Sequence, residues 1–224
     1  MKLPMHHLLT GVLGLAAVAV ASSTVRVAFF PSGSERSRIP DRPDYIESWE
    51  EMLNHGSRVG GSETAPVTII VLTDLECPAC AGFHATVEEV LDERPDDVRV
   101  VYVDHPLQYH RFALQAARGA ACAAEVGAYR SWIDVVFQKR DSLGLKSWGS
   151  YAVEAGITDS GRVERCMRGD EPMPRISAAL EFGEAIGITG VPTVLVNGWR
   201  YPRTPTTTGL NAIIDDLLVG ERPS

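Results

Sequence analysis

Apolar positions along this chain follow two rhythms, and the switch between them marks its elements. Val67-Thr68-Ile69-Ile70-Val71-Leu72-Thr73 is β-branched and almost continuously apolar, the pattern of a strand covered on both faces. Val98 to Val103 reads the same way, and Pro192-Thr193-Val194-Leu195-Val196 is a third such run. Asn197-Gly198 after it is a two-residue hairpin signal, with Trp199-Arg200-Tyr201 starting the return. Between the strands the period becomes helical. Tyr45, Ile46, Trp49, Met52 and Leu53 predict a short amphipathic helix, and a further helix runs from Cys80 to about Glu93. From Phe112 to about Ile186 the reading is helical throughout. Ala113, Ala116, Ala117, Ala120 and Ala121 form a small-residue face, Ile133, Val136 and Phe137 a second stripe, and shorter helices fall near Tyr151–Ala155 and Arg162–Met167. Pro172 and Pro174 break the pattern before a last inserted helix. Leu210, Ile213, Ile214, Leu217 and Leu218 mark a terminal helix.

The N-terminus has a different character. Lys2 precedes a run, Leu8 to Ala21, that is apolar apart from Thr10 and glycines, and Ala19-Val20-Ala21 fits a small-x-small cleavage site. The apolar run reaches Val25 before Arg26, so residues 1–30 read either as a cleaved signal peptide or as a membrane anchor. Both place the folded part outside the cytoplasm, in the periplasm or at the cell surface, where disulfides persist. Residues 31–56 are expected to be a tether rich in Ser, Pro, Arg and Asp followed by the short helix, and residues 57–222 one α/β domain with a helical insertion at about 111–186. The formal charge of -8, without a dense Lys/Arg cluster, argues against a nucleic-acid partner.

The chemistry concentrates at Cys77-Pro78-Ala79-Cys80, between the first buried strand and a helix. The thiolate is the nucleophile of disulfide exchange. At a helix N-terminus, unpaired N–H groups and the helix dipole favour a thiolate on Cys77. Pro78 suits the first turn because it has no N–H to leave unpaired. Cys80, one turn inward, is the expected resolving thiol. Two other readings of the pair exist, half of a zinc site and an inert disulfide. A zinc site would want a second pair, but Cys122 and Cys166 stand far apart, and His84 reads as a surface residue more readily than as a third ligand. Gly190-Val191-Pro192-Thr193 is the second signal. A proline opening a buried strand fits either a cis Val191–Pro192 peptide or a trans proline on an edge strand.

With these motifs in order, the chain resembles the DsbA-like branch of the thioredoxin superfamily. The matching stretches are Thr73-Asp74-Leu75-Glu76-Cys77-Pro78-Ala79-Cys80, Pro106-Leu107 with His110, Ala120-Ala121-Cys122-Ala123-Ala124-Glu125-Val126-Gly127, and Gly187 to Thr193 running into Val196-Asn197-Gly198. The resemblance implies a thioredoxin fold with an inserted helical subdomain and disulfide exchange with exported protein thiols or disulfides, without a cofactor. It also implies recycling by a membrane redox partner that is DsbB-like or vitamin-K-epoxide-reductase-like. It makes Pro192 the cis-proline that docks substrate backbone, Val191 the docking residue before it, and Pro78 and Ala79 the residues that tune the couple.

Two departures bear on direction. The strongly oxidising members carry histidine where this chain has Ala79, so a less depressed Cys77 pKa is expected than the ~3.5 of the extreme oxidant, nearer the ~7 of thioredoxin. The buried acid that some members keep six residues before the first cysteine is Val71 here. Asp74 and Glu76 are nearer candidates, with Glu76 expected to be a solvated loop residue. If Cys77 pairs with Cys80, Cys122 and Cys166 are either a structural bridge stapling the insertion, worth about 4–5 kcal/mol in the chain-entropy model, or two buried thiols.

Overall fold

In the computed structural model, residues 42–169 and 173–222 are described, all within the unit Pro40–Ser224. The anticipated signal or anchor and most of the tether lie outside them. No helix among the described residues is long and apolar enough to cross a membrane.

The strands are β1 (Asp44–Tyr45), β2 (Ser57–Gly61), β3 (Val67–Thr73), β4 (Val98–Asp104), β5 (Thr193–Val196) and β6 (Trp199–Arg200). The α-helices are α1 (Pro78–Glu93), α2 (Ala113–Ala124), α3 (Tyr129–Gln138), α4 (Trp148–Glu154), α5 (Ser160–Met167), α6 (Pro174–Ala185) and α7 (Thr207–Leu218). One mixed sheet orders the strands β1-β6-β5-β3-β4-β2. The central strand β3 runs parallel to β4 and antiparallel to β5, with Thr73 opposite Asp104 and Leu72 opposite Thr193.

All seven residues of β3 are buried because both faces are covered, as the unbroken apolar run predicts. Ile69 and Val71 face a core completed by Phe83, Val87 and Val90 of α1 and by Leu210 and Ile214 of α7. Ile70 and Leu72 face a smaller cluster with Val101, Val103, Leu195, Ala179 and Met52. Each fully buried side chain of this size contributes roughly 1.5–3 kcal/mol relative to exposure.

One local expectation changes and another holds. The segment around Tyr45 to Leu53 is not an α-helix: Asp44–Tyr45 pairs with β6, and Trp49–Asn54 is a 3-10 helix. Ile46, Trp49 and Leu53 still pack on the second core, so the apolar spacing was met by a tighter helix. Asn197-Gly198 does form the hairpin, with φ of 44° and 84°, values that a two-residue turn requires and glycine adopts without strain. Asn197 is also a clip. Its Oδ1 accepts from Thr68 N–H at 2.7 Å and its Nδ2 donates to the Pro66 carbonyl at 3.1 Å.

Between β4 and β5 the chain forms α2–α6. The alanine face of α2 lets α3 approach until the Trp132 indole donates to the Ala116 carbonyl at 3.2 Å. A Cβ at Gly119 would lie 2.0 Å from the Trp132 ring, which explains a glycine inside a helix. Cys122 and Cys166 are joined, linking α2 to α5. The seam to the sheet is a buried hydrogen bond from Tyr129 Oη–H of α3 to Asp104 Oδ1 of β4, at 3.0 Å.

Candidate active site

β3 ends at Thr73, and a short turn delivers the chain to α1. Cys77 is the N-cap of α1, with φ -73° and ψ 123°, and Pro78 opens the first turn. The turn closes through Cys77 N–H donating to the Asp74 carbonyl at 3.1 Å. Asp74 N–H in turn donates to Cys80 Sγ at 3.4 Å. Asp74 main-chain atoms therefore touch both cysteines. Pro78 and Ala79 are exposed between them.

The two thiols are free and their environments differ. Cys77 is 8% exposed and Cys80 2%. The Cys80 thiol hydrogen-bonds the Cys77 sulfur and lowers its pKa to about 6; burial works against this, Cys80 and Ala79 N–H groups help, and the Asp74 charge opposes. Burial pushes Cys80 far up, and its hydrogen bond to Cys77 pushes it further. Near neutral pH the pair thus holds one exposed-side thiolate and one buried proton.

The third wall is the segment before β5. The Val191–Pro192 peptide is cis, and Cys77 Sγ lies 3.8 Å from the Val191 carbonyl. The register of β5 on β3 puts Pro192 one residue beyond the Leu72–Thr193 pair, level with the cysteine turn. Pro192 precedes an interior strand, between β6 and β3, and not an edge.

Three side chains complete the surroundings. Asp74 is wholly buried: Oδ1 accepts from Glu76 N–H, and Oδ2 from Leu107 N–H and His110 Nδ1, each at 2.8 Å. Glu76 is not a solvated loop residue; it is half-buried, and Oε2 accepts from Phe112 N–H at the start of α2, at 2.6 Å. Val71 is buried opposite Val194 and Tyr102, with no acid at that position. The pairing of Asp74 with His110 spans 36 positions, and no local pattern announces it.

His84 is not a surface residue either. It is 8% exposed, with Nδ1 on Tyr102 Oη at 3.1 Å and Nε2 on Asp134 at 2.9 Å. With Glu88 and Asp134 it makes a group of ligand-type atoms within 4.8 Å of one another. The Arg130 guanidinium already pairs with Glu88 there, so a divalent cation would meet a resident positive charge. The cysteines take no part in that group.

A family model described as thioredoxin matches residues 53–216. A Na(+)/H(+) antiporter NhaA 1 from Mycolicibacterium gilvum is 31% identical over 146 residues, which cover 64% of this chain but 24% of that protein. The chain thus spans about a quarter of the curated relatives it matches. Among solved structures, a thioredoxin-like oxidoreductase from Silicibacter pomeroyi superposes with a TM-score of 0.64 at 23% identity, covering 77% of this chain and 98% of the other. DsbA from Mycobacterium tuberculosis, reduced, gives 0.56 at 24% identity, covering 75% and 93%. The family model covers the central β3, the Cys-x-x-Cys helix start and the cis-proline, and the chain belongs to the thioredoxin family.

Proposed function

We propose that this protein is an extracytoplasmic thiol–disulfide oxidoreductase that forms disulfides in exported proteins. The observation that carries the reading is the asymmetry of the pair: Cys77 acidified at a helix start beside Val191–Pro192, Cys80 buried and protonated behind it. In the oxidised enzyme, a substrate thiolate attacks Cys77 Sγ. The Cys77–Cys80 bond breaks, and Cys80 leaves as a thiolate that takes up a proton. A second substrate thiolate then attacks the substrate sulfur of the mixed disulfide, and Cys77 leaves as its stabilised thiolate. Two electrons pass from substrate to enzyme, and a membrane redox partner of the DsbB-like or vitamin-K-epoxide-reductase-like kind removes them. Val191 and Pro192 dock the substrate backbone, and Ala79 sets the potential less high than a histidine there would. Export rests on the apolar N-terminal run and fits the Cys122–Cys166 bridge.

The test is equilibration of the pair against glutathione buffers, with exchange activity measured alongside. A potential well above thioredoxin's ~-270 mV, toward the ~-120 mV of the strong oxidant, is expected. A value near thioredoxin's reverses the direction and makes the protein a reductase. Cys77→Ser is expected to abolish exchange; a Cys77→Ser protein with full activity overturns catalysis altogether.

A further inference from the structure

We propose that Asp74 and His110 form a hydrogen-bonded couple that sets the reactivity of Cys77, Asp74 opposing the thiolate and His110 acting as the positioning residue whose donor blunts this opposition. The proposal deepens the oxidoreductase reading and rests on it.

The geometry begins with the number of donors. Asp74 accepts three hydrogen bonds on two oxygens, from Glu76 N–H, Leu107 N–H and His110 Nδ1. An asparagine would close the same Asx-type turn, but its amide nitrogen would face a donor whichever way it pointed. The arrangement therefore selects a carboxylate, with two acceptor oxygens. That carboxylate has no solvent exposure, and its own main chain hydrogen-bonds both cysteines. A buried negative charge so close to Cys77 works against a second one, with little water to screen it.

His110 stands on the other side. It reaches Asp74 from the β4–α2 loop, with its side chain 19% exposed and the Tyr109 ring edge-on at 4.7 Å. Its donor is the one side-chain donor among the three, so a substitution can remove it without touching the backbone. The other ionisable groups nearby are already engaged. Glu76 receives Phe112 N–H, Asp104 receives Tyr129 with Arg175 beyond it, and His105 Nδ1 lies 3.4 Å from the Ala179 carbonyl. Arg111 sits over the Phe112 ring. His110 is thus the side-chain donor that meets Asp74 directly.

Such a couple makes the two removals act in opposite directions, whereas a loosened turn would move both the same way. The experiment titrates the thiolate absorbance of the reduced full chain in the far ultraviolet, with alkylation by iodoacetamide as a second reading of Cys77. His110→Leu is expected to raise the Cys77 midpoint and Asp74→Asn to lower it, each by about threefold in the ionisation constant. His110→Asn, which can place an amide donor where Nδ1 stands, is expected to stay within about twofold of the unaltered protein. Midpoints that shift in the same direction, or either of the first two variants matching the unaltered protein, overturn the couple. If Asp74→Asn does not fold, the His110 pair decides alone: the couple falls if Leu and Asn give the same midpoint. The titration needs no disulfide substrate. A protein that shows the opposed shifts but no exchange with any protein thiol or disulfide keeps the couple and loses the proposed function.

Discussion

Cys77 and Cys80 sit three positions apart across a helix start, whereas Cys122 and Cys166 join two helices 44 positions apart. Cys77 faces the N-terminus of α1, where N–H groups and the helix dipole favour negative charge. Cys122 and Cys166 both lie in the last turns of their helices, α2 and α5, where the dipole disfavours a thiolate. The first pair divides its roles by burial and hydrogen bonding. The second has no acidifying N–H contact, and an acid, Glu125, has its Oε1 4.0 Å from Cys166 Sγ. The difference teaches that the hydrogen bonds a cysteine receives at a helix start, from the partner thiol first and the first-turn N–H groups after it, set the proposed redox pair apart from a staple.

That contrast breaks most visibly if the staple is removed. Cys122→Ala with Cys166→Ala is expected to cost about 4 kcal/mol of unfolding free energy for a loop of this length, read by denaturant titration, while exchange activity stays within about twofold. A large loss of exchange in a folded double variant would make the second pair part of the chemistry.

The seam between sheet and insertion gives the next effect. Burial raises the Asp104 carboxyl to about 6, against the pull of Arg175 and the Tyr129 hydrogen bond. A raised carboxyl contributes stability that is complete below the unfolded value near 4 and is lost as pH rises through about 6. Asp104→Asn should therefore be more stable than the unaltered protein at pH 8, by about 2–3 kcal/mol, with the advantage gone at pH 4. Equal stability at both pH values would show that the seam holds its charge without cost.

The finest test reads the working pair alone. Below about pH 6 both thiols are protonated, and its potential should fall by ~59 mV per pH unit; above it Cys77 takes no proton, and the slope should halve to ~30 mV. A break near pH 9 instead would mean that neither the Cys80 thiol nor the helix start acidifies Cys77.

Much of this was legible from periodicity. The buried runs of β3, β4 and β5, the helix from Pro78 to Glu93 and the Asn197-Gly198 turn all follow from local pattern. The edge strands β1 and β2 are too short or too glycine-rich to leave one. At the site, Cys77, Cys80 and Pro192 carry their signals in their neighbours, because helix starts and strand-opening prolines are local events. Asp74, Glu76 and His84 do not. Their partners, His110, Phe112 and Tyr102, come from elements brought alongside by the sheet, so a polar side chain that reads as solvated is buried against a distant donor.

The clip at Asn197 has a consequence for how this protein ages. In a loose chain, asparagine before glycine is the pair most open to attack by the next backbone nitrogen on the side-chain amide, which expels ammonia and leaves a cyclic imide that water opens to aspartate or isoaspartate. Here the amide is committed on both sides, to Thr68 N–H and the Pro66 carbonyl. The turn that reverses the chain thus protects its own weakest covalent link for as long as β3 stays in place, and an altered residue there would lose the donor to Pro66 just where the central strand begins.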